Sequence, residues 1–483
     1  MRIIGNDPSI PRQAQIVASG TLSTGDTVVV NSDGTVSAVA DTSVSQDLGS
    51  PTVFETSQSF DFAATFDENA GKVVVVYRDD SNSNYTTAIV GTVSGTSISF
   101  GTSVVAISES GTHYAATYDV NAQKVVIACQ SDNRGKAIVG TVSGTTISFG
   151  SAATFDTDQV DFTSATYDVN AQKVVIAYQD GGNSDHGTAV VGTVSGTSIS
   201  FGTPVVFESA TVEEVSAVYH TSAQKIVIAY RDDGNSLRGT AIVGTVSGTS
   251  ISFGSASVFE TGATTQVSVA YDANAQKIVI AYCDFSNSSF GTAIVATVSG
   301  TSISFGTPVV FESASISGGP TTTSYDSNAE KVVIAYTDSG NADRGKLVVG
   351  TVSGTSISFG AVVQFESGQT DNTSSTFDST NNKIVIAYRD AGNSNRGTSV
   401  VFQNAKTEFN LTAENYIGTA ATGAADTQRA KINLKGAVDE NQSGLTAGQS
   451  YYVQIDGTLG TTPDSPSVFA GTAVAANKLI VKG

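Results

Sequence analysis

Six aspartates recur at one place in this chain. Asp79, Asp180, Asp232, Asp284, Asp338 and Asp390 each stand two residues after a tyrosine or its equivalent, and Ser131 fills the seventh such place. A ring of carboxylates can hold cations. A carboxylate that closes its own turn, as in an Asx-turn, leaves the same signature, and its repetition in nearly every copy favours the turn. Nucleophilic and metal chemistry find less support. His113, His186 and His220 lie in different repeats, and no two share a metal-ligand spacing. No Gly-x-Ser-x-Gly elbow is present, and no glycine-rich loop leads into a helix to cradle phosphate. Acid–base hydrolysis of glycosides needs two placed carboxylates. Acidic residues are too frequent here for spacing to test that. The expectation is a protein that is not an enzyme and has neither metal nor cofactor.

The elements that position these residues follow from an internal repeat. A phrase of the type Ala-Gln-Lys-Val-Val-Ile-Ala-Tyr recurs with its lysine at Lys72, Lys124, Lys173, Lys225, Lys277, Lys331 and Lys383. The successive gaps are 52, 49, 52, 52, 54 and 52 residues. Each copy carries four strand signals, called a to d here. In the fourth copy, Ala217-Val218-Tyr219 is a, Lys225 to Tyr230 is b, Gly239 to Val246 is c, and Thr249 to Phe253 with Val258-Phe259 is d. Strand b is a continuous Val/Ile run, suited to burial on both faces. Strand d alternates Ile251 and Phe253 with Ser250 and Ser252. Four strands per unit and seven units predict an all-β fold, a seven-bladed β-propeller; a solenoid is the runner-up. The seventh copy stops at Phe402 without its strand d, and Ser50-Pro51-Thr52-Val53-Phe54-Glu55 matches the missing piece. An N-terminal strand that closes the ring would hide two sheet edges, which favours the propeller. The Ser-x-Asp-x-Gly-x-Thr-Trp box of sialidase-like propellers is absent.

In such a unit the a–b and c–d turns share one face, and the b–c turn and the d-to-a crossover share the other. The c–d turn is nearly invariant, as in Ser94-Gly95-Thr96 and Ser353-Gly354-Thr355. Length changes and chemical variety gather on the other face. It collects Tyr85, His113, Tyr114, Asp158, Asp161, Phe162, His186, Glu213, Glu214, Phe285 and Phe290, with Arg134, Arg238, Arg344 and Arg396 near the end of turn b–c. Variable segments on a rigid scaffold are where recognition sits; unconstrained drift of surface loops is the competing account.

Residues 1–46 and 404–483 lie outside the repeats, which span 47–403. Thr24 to Val36 aligns with Ala447 to Leu459, each a strand, an Asp-Gly turn and a second strand. About 40 residues alone are marginal as a domain, so the two termini are expected to build one small β-domain, with two separate domains as the alternative. Cys129 takes the place of the strand-b aromatic in unit two, and Cys283 falls one position later in unit five. Units two and five are not neighbours in a ring, so two free thiols are expected, as in a reducing cytoplasm.

Composition narrows the partners. The chain has 483 residues, 24 basic and 44 acidic, for a formal charge of −20. Such a surface repels phosphate backbones, so no nucleic acid is expected. No apolar run is long enough for a membrane span. Met1 to Gly20 lacks the basic-then-apolar order of a signal peptide.

The terminal segments resemble those of structural proteins from tailed bacteriophages. The residues concerned are Gly25 to Thr35, Gly444 to Val453, Asp456-Gly457-Thr458-Leu459, Gly471-Thr472-Ala473-Val474 and Lys478 to Lys482. The resemblance implies an anchor domain that docks on the virion and an outward-facing propeller, as a capsid decoration or tail-fibre component. It implies assembly in the host cytoplasm, a multi-copy or homo-oligomeric state, and contacts with other virion proteins or host-surface glycans. A secreted or surface lectin-like, carbohydrate-binding propeller is the alternative expectation, and a glycan hydrolase is the third.

Overall fold

A computed structural model describes residues 12–482; the expectations for residues 1–11 lie outside the described residues. The chain forms two compact units. One comprises the segments up to Ser45 and from Ala405 onward, the other Gln46–Asn404.

The larger unit repeats one pattern of antiparallel pairing. In the fourth repeat, the second half of Val205–His220 pairs with Lys225–Asp232, which pairs with Arg238–Ser247. Strand Arg238–Ser247 then pairs with Ser250–Phe253 at one end and with the start of Ser257–Asp272 at the other. Strand d is therefore in two pieces. The break falls at Gly254, where an added Cβ would lie 2.1 Å from the Thr301 carbonyl of the next unit's c–d turn. That close approach explains why the Ser-Gly-Thr turns scarcely vary: each receives the backbone of its neighbour.

Strand b behaves as its composition requires. Ile226, Val227, Ile228, Ala229 and Tyr230 are all fully buried, covered on both faces by adjoining units. Each hydrophobic core lies between units: one joins Val175 and Ala177 of unit three to Tyr219, Ile226 and Ile228 of unit four. Packing is close enough to couple sequence positions. A Cβ on Gly239 of strand c would sit 2.3 Å from the Phe259 ring of strand d, and Gly135, Gly187, Gly291, Gly345 and Gly397 face phenylalanines in the same way. In unit one the glycine is Thr86, and Ala106 holds the place of the phenylalanine. The larger residue on one strand is matched by a smaller one on the other, as a close-packed interior demands.

The crossover between units departs from expectation. Outside two units it is not a loop. The outer strand runs on directly as the inner strand of the next unit, as in Val205–His220 and Ser257–Asp272. A β-bulge turns the chain: Glu213 pairs with Arg231, but the next paired residue is Ser216 with Ala229. A bulge bends a strand without ending it. The strand breaks only between Asp156 and Val160 and between Ser315 and Thr322, the second around Gly318-Gly319-Pro320.

The N-terminal strand of the larger unit joins both ends of the repeat. Thr52–Asp67 pairs with Arg396–Gln403 of the last repeat through Arg396↔Gln58 and Thr398↔Val53. It continues into the first repeat through Ser59↔Asp79 and Asp67↔Lys72. The backbone amide of Ala64 donates to Ser374 Oγ at 3.0 Å across the same junction.

In the smaller unit, one five-stranded sheet interleaves the two termini. Gln13–Val17 pairs with Arg429–Asn433, and Thr27–Val30 with Tyr416–Thr422. A second sheet holds Ser450–Val453 and Leu459–Gly460 with Val468–Ala475 and Lys478–Val481. The two aligned turns match in detail. Asp33 Oδ1 accepts from the amide and hydroxyl of Thr35 at 2.9 and 2.6 Å, and Asp456 Oδ1 does the same for Thr458. Gly34 and Gly457 take φ near +80°, which glycine supplies without strain.

Candidate functional site

The bulge that carries the chain from unit to unit also builds a site. In six units the bulged residue adopts a left-handed backbone: Asp61 (φ 49°), His113 (53°), Phe162 (48°), Glu214 (54°), Gln266 (57°) and Asn372 (51°). Pro320 stands at the seventh place, after two glycines. All seven lie eleven residues before the repeat lysine. Six of these seven positions, Gln266 excepted, line a cavity of about 200 Å³ with Phe62, Tyr114, Thr163, Val215, Val267 and Thr373. An adjoining cavity of about 350 Å³ is lined by small residues from the inner strands of all seven repeats, among them Ala64, Ala116, Ser164, Ser216, Ser268 and Ser374. The first cavity is thus the mouth of a channel between the inner strands. Left-handed φ is uncommon for any residue but glycine and costly for bulky ones, so a ring of such residues stores strain around this mouth.

Neighbouring units hold the ring's side chains in place. The Phe162 amide donates to His113 Nδ1 at 3.2 Å, which leaves the proton on Nε2, facing Asp161 Oδ1 at 3.2 Å. The His113 and Phe162 rings lie 5.4 Å apart. Thr265 donates to Glu214 Oε1 at 2.9 Å. Arg231 bridges Glu213 and Asp233 at 2.5 and 2.6 Å. Burial holds the Glu213 carboxyl above its ordinary range. Arg78 and Arg389 flank the Phe60 ring at 4.7 and 4.4 Å, and Arg389 also pairs with Asp371. The mouth therefore offers aromatic faces beside carboxylates and amides, all fixed in direction. That combination suits a ligand with apolar C–H faces and several hydroxyls.

The structure divides the sequence-predicted residues. His113, Tyr114, Phe162 and Glu214 line the mouth, and Asp161 and Glu213 orient its walls. They sit in bulged strands rather than in loops; the bulge replaces the crossover except before Asp161 and Phe162, where the strand resumes at Val160. Tyr114 is 8% exposed, and its hydroxyl lies 3.3 Å from Thr86 Oγ1. Tyr85, Arg134, His186, Arg238, Phe290, Arg344 and Arg396 hold one equivalent position, the first residue of strand c opposite the last of strand b. They do not reach the cavity. Arg238 and Arg396 instead brace the b–c turn, bonding Asn235 and Asn393 Oδ1 at 3.2 Å. Phe285 opens a short 3-10 turn and is 45% exposed, away from the mouth. Sequence reasoning missed Asp61, Gln266, Pro320 and Asn372. The fixed offset of eleven residues from each lysine would have found them.

The aspartates that follow strand b close turns where bonds are seen. Asp79 Oδ1 accepts from the Ser81 amide and hydroxyl at 3.0 and 2.6 Å, and Asp284 Oδ1 from the amides of Ser286 and Asn287 at 3.0 and 3.1 Å. A second carboxylate lies close to this row. Each buried strand-b tyrosine donates its hydroxyl to an acid on the outer strand of the preceding unit: Tyr77 to Glu55, Tyr178 to Asp156, Tyr230 to Glu208, Tyr282 to Glu260, Tyr336 to Glu312 and Tyr388 to Glu366, all at 2.9 to 3.1 Å. Burial, and then the facing acid, raise the carboxyls of Asp180, Asp232, Asp284 and Asp390. Among the described residues, no three His, Cys, Asp or Glu side chains group as a metal centre. Cys129 and Cys283 are free and buried, and burial pushes both thiols up to about 12. No helix of the described chain is long and apolar enough to cross a membrane.

No protein-family model matches the chain, and no curated protein does. Solved structures do resemble it. The BP39L lectin of Burkholderia pseudomallei superposes with a TM-score of 0.54 at 8% identity, over 74% of this chain and 99% of the lectin. The β-propeller domain of Cps50 (Swd1) from Myceliophteria thermophila gives a TM-score of 0.46 at 9% identity, over 73% of this chain and 99% of that domain. An intramolecular trans-sialidase from Ruminococcus gnavus gives 0.43 at 10% identity, over 73% and 96%. The chain is all-β, with a likeness to β-propeller proteins.

Proposed function

We propose that residues 46–404 form a seven-bladed β-propeller whose channel mouth binds carbohydrate, as a lectin-like module without turnover. One observation carries this reading. A single strained backbone position, repeated six times, holds Asp, His, Phe, Glu, Gln and Asn, while the turns and core around it scarcely change. A position fixed in backbone and free in chemistry is what a recognition surface requires. The fold shared with a lectin supports the choice of ligand class at the level of scaffold alone. A glycan array probed with the intact chain tests it, followed by calorimetry on Phe162→Ala and Glu214→Ala. At least one glycan should bind, and each substitution should weaken it tenfold or more. A wild-type chain silent across the array, or variants that bind equally well, would overturn the reading.

The unit built from both termini supports a second proposal, about display. A sheet that joins Gln13–Val17 to Arg429–Asn433 brings both termini into one unit. That suits an anchor on a larger particle such as a virion. Co-sedimentation of the full chain with phage particles tests this, and a chain that stays in the supernatant of every particle fraction counts against it.

A further inference from the structure

The second residue after the start of strand c is a threonine in five units: Thr87, Thr188, Thr240, Thr292 and Thr398. In the other two it is a lysine, Lys136 or Lys346. The two lysines keep different company. Lys136 pairs with one acid, Glu109, and Ser131 stands in the place of the strand-b aspartate. Lys346 meets two acids, the strand-b aspartate Asp338 and the outer-strand Glu312 of the preceding unit.

The pairing of strands b and c sets this meeting. Tyr336 stands opposite Lys346 and Asp338 opposite Arg344, so Tyr336, Asp338 and Lys346 share one face of the sheet. Lys346 Nζ lies 2.5 Å from Asp338 Oδ2 and donates to Glu312 Oε2 at 3.2 Å. The side chains of Lys346, Asp338 and Glu312 are 17%, 1% and 12% exposed. Asp338 differs from its counterparts. Asp79 and Asp284 accept from turn amides, whereas neither oxygen of Asp338 has a hydrogen-bond partner of ordinary geometry. Its carboxyl touches the lysine nitrogen and is tied by no hydrogen bond. Glu312 is held on both oxygens: Oε2 accepts from the Tyr336 hydroxyl at 2.9 Å and Oε1 from the Ala314 amide at 3.2 Å.

An amine and a carboxyl in contact, mostly out of water and beside a fixed second carboxylate, are the reactants and the general base of amide formation. We propose that Lys346 and Asp338 condense into an intramolecular isopeptide bond, with Glu312 carrying the protons. The resting groups are an ammonium and two carboxylates. One proton passes from Nζ to the Asp338 carboxyl. The Nζ lone pair then attacks Cγ, and the Nζ–Cγ bond forms. Glu312 takes a second proton from Nζ and gives it to an Asp338 oxygen, and the Cγ–O bond breaks as water leaves. The amide keeps one hydrogen on Nζ, Glu312 ends as it began, and no oxidant or reductant enters. Burial works against the ammonium, but the two acids outweigh it and hold its pKa above the ordinary value. The free amine is thus the minor form, which suffices for a step that each chain takes once. The bond closes only the short b–c hairpin of unit six, so its mark is chemical more than energetic.

Mass spectrometry of the full chain, intact and after trypsin, tests this. The intact mass should lie about 18 Da below that of the sequence, the loss of one water. The digest should contain residues 332–344 joined to residues 345–383, because trypsin does not cut after an acylated lysine. Lys136, which lacks the second acid, should be cut as usual in the same digest. Asp338→Asn should lose about 17 Da, as ammonia in place of water. Lys346→Arg and Glu312→Gln should lose nothing. A wild-type digest cut after Lys346, with residues 332–344 as a linear peptide, would overturn the proposal whether or not the variants fold. A loss that persists in Lys346→Arg would overturn it too, since a cyclic imide at Asp338 needs no lysine. A cross-link at full yield in Glu312→Gln would overturn the role of Glu312.

Discussion

The inner strand is left-handed at both ends in six of the seven units, and the two ends fill that backbone differently. At the a–b turn, the residue before the repeat lysine is left-handed: Gln123, Gln172, Gln224 and Gln276, with Glu330, Asn382 and Gly71 in the remaining units. At the channel mouth the left-handed residue is Asp, His, Phe, Glu, Gln or Asn. The backbone asks for the same conformation at both ends. At the turn one side chain serves in four of seven units, so the fold selects it. At the mouth nothing in the fold selects among six chemistries. On the proposed reading, what selects among them is a ligand at the mouth.

The comparison rests on the units being equivalent, including the unit assembled from both ends of the repeat. The most severe test is at that junction. Phe54 on the closing strand packs against Phe62, Tyr77 and Phe100. Phe207, its counterpart inside the repeat, packs against Tyr230 and Phe253. Phe207 is buried and Phe54 partly buried; truncating a buried phenylalanine costs about 3–5 kcal/mol. Phe54→Ala and Phe207→Ala should lower unfolding free energy in chemical denaturation by similar amounts. A near-silent Phe54→Ala would mean that the closing strand frays, and the seven mouth positions would no longer form one ring.

A smaller effect sharpens the contrast between the ends. Asp168 at the a–b turn is buried and accepts from the amides of Asn170 and Ala171 at 2.9 and 2.8 Å. Asp168→Ala orphans both donors and should cost about 1–3 kcal/mol. At the mouth, Phe162→Gly removes the left-handed strain of a bulky residue, worth about 1–2 kcal/mol, against glycine's greater freedom when unfolded. It should leave stability level or slightly raised in thermal melts while abolishing glycan binding. Loss of stability comparable to that of Asp168→Ala would make Phe162 a structural residue and dissolve the contrast.

Much of this was legible in the chain because the repeat fixes register. The lysines mark the first residue of every strand b, the Val/Ile runs are the buried strands, and Ser50 to Glu55 announced its pairing with the last repeat. The site was half legible. His113, Phe162 and Glu214 stood out by chemistry, but Asp61, Gln266 and Asn372 are ordinary residues made special by a bulge. No local signal marks a bulge that neither glycine nor a turn announces. The arginines misled for the opposite reason: they recur conspicuously, yet Arg238 and Arg396 brace turns. His220 shows the same economy at the other end. It replaces the turn aspartate, and its Nδ1 accepts from the Ala223 amide at 3.2 Å.

The smallest expected effect concerns protons. On the b–c turn side, Asp180, Asp232, Asp284 and Asp390 have carboxyls raised above the ordinary 3.8, by burial first and by the facing acid second. The folded chain therefore keeps protons that the unfolded chain has already released. Stability from these groups is full below 3.8 and is lost as pH rises through their folded values. In unit two the sign reverses. Lys136 holds Glu109 below its ordinary 4.5, so that contribution is present above 4.5 and is lost as pH falls. Moderate acidification from neutral pH should thus raise the melting temperature. The quadruple variant Asp180→Asn, Asp232→Asn, Asp284→Asn and Asp390→Asn, which mimics the protonated state, should melt higher at neutral pH and respond less to acidification. A wild-type melting curve that falls monotonically on acidification, with the variant parallel to it, would show that the paired acids do not hold protons.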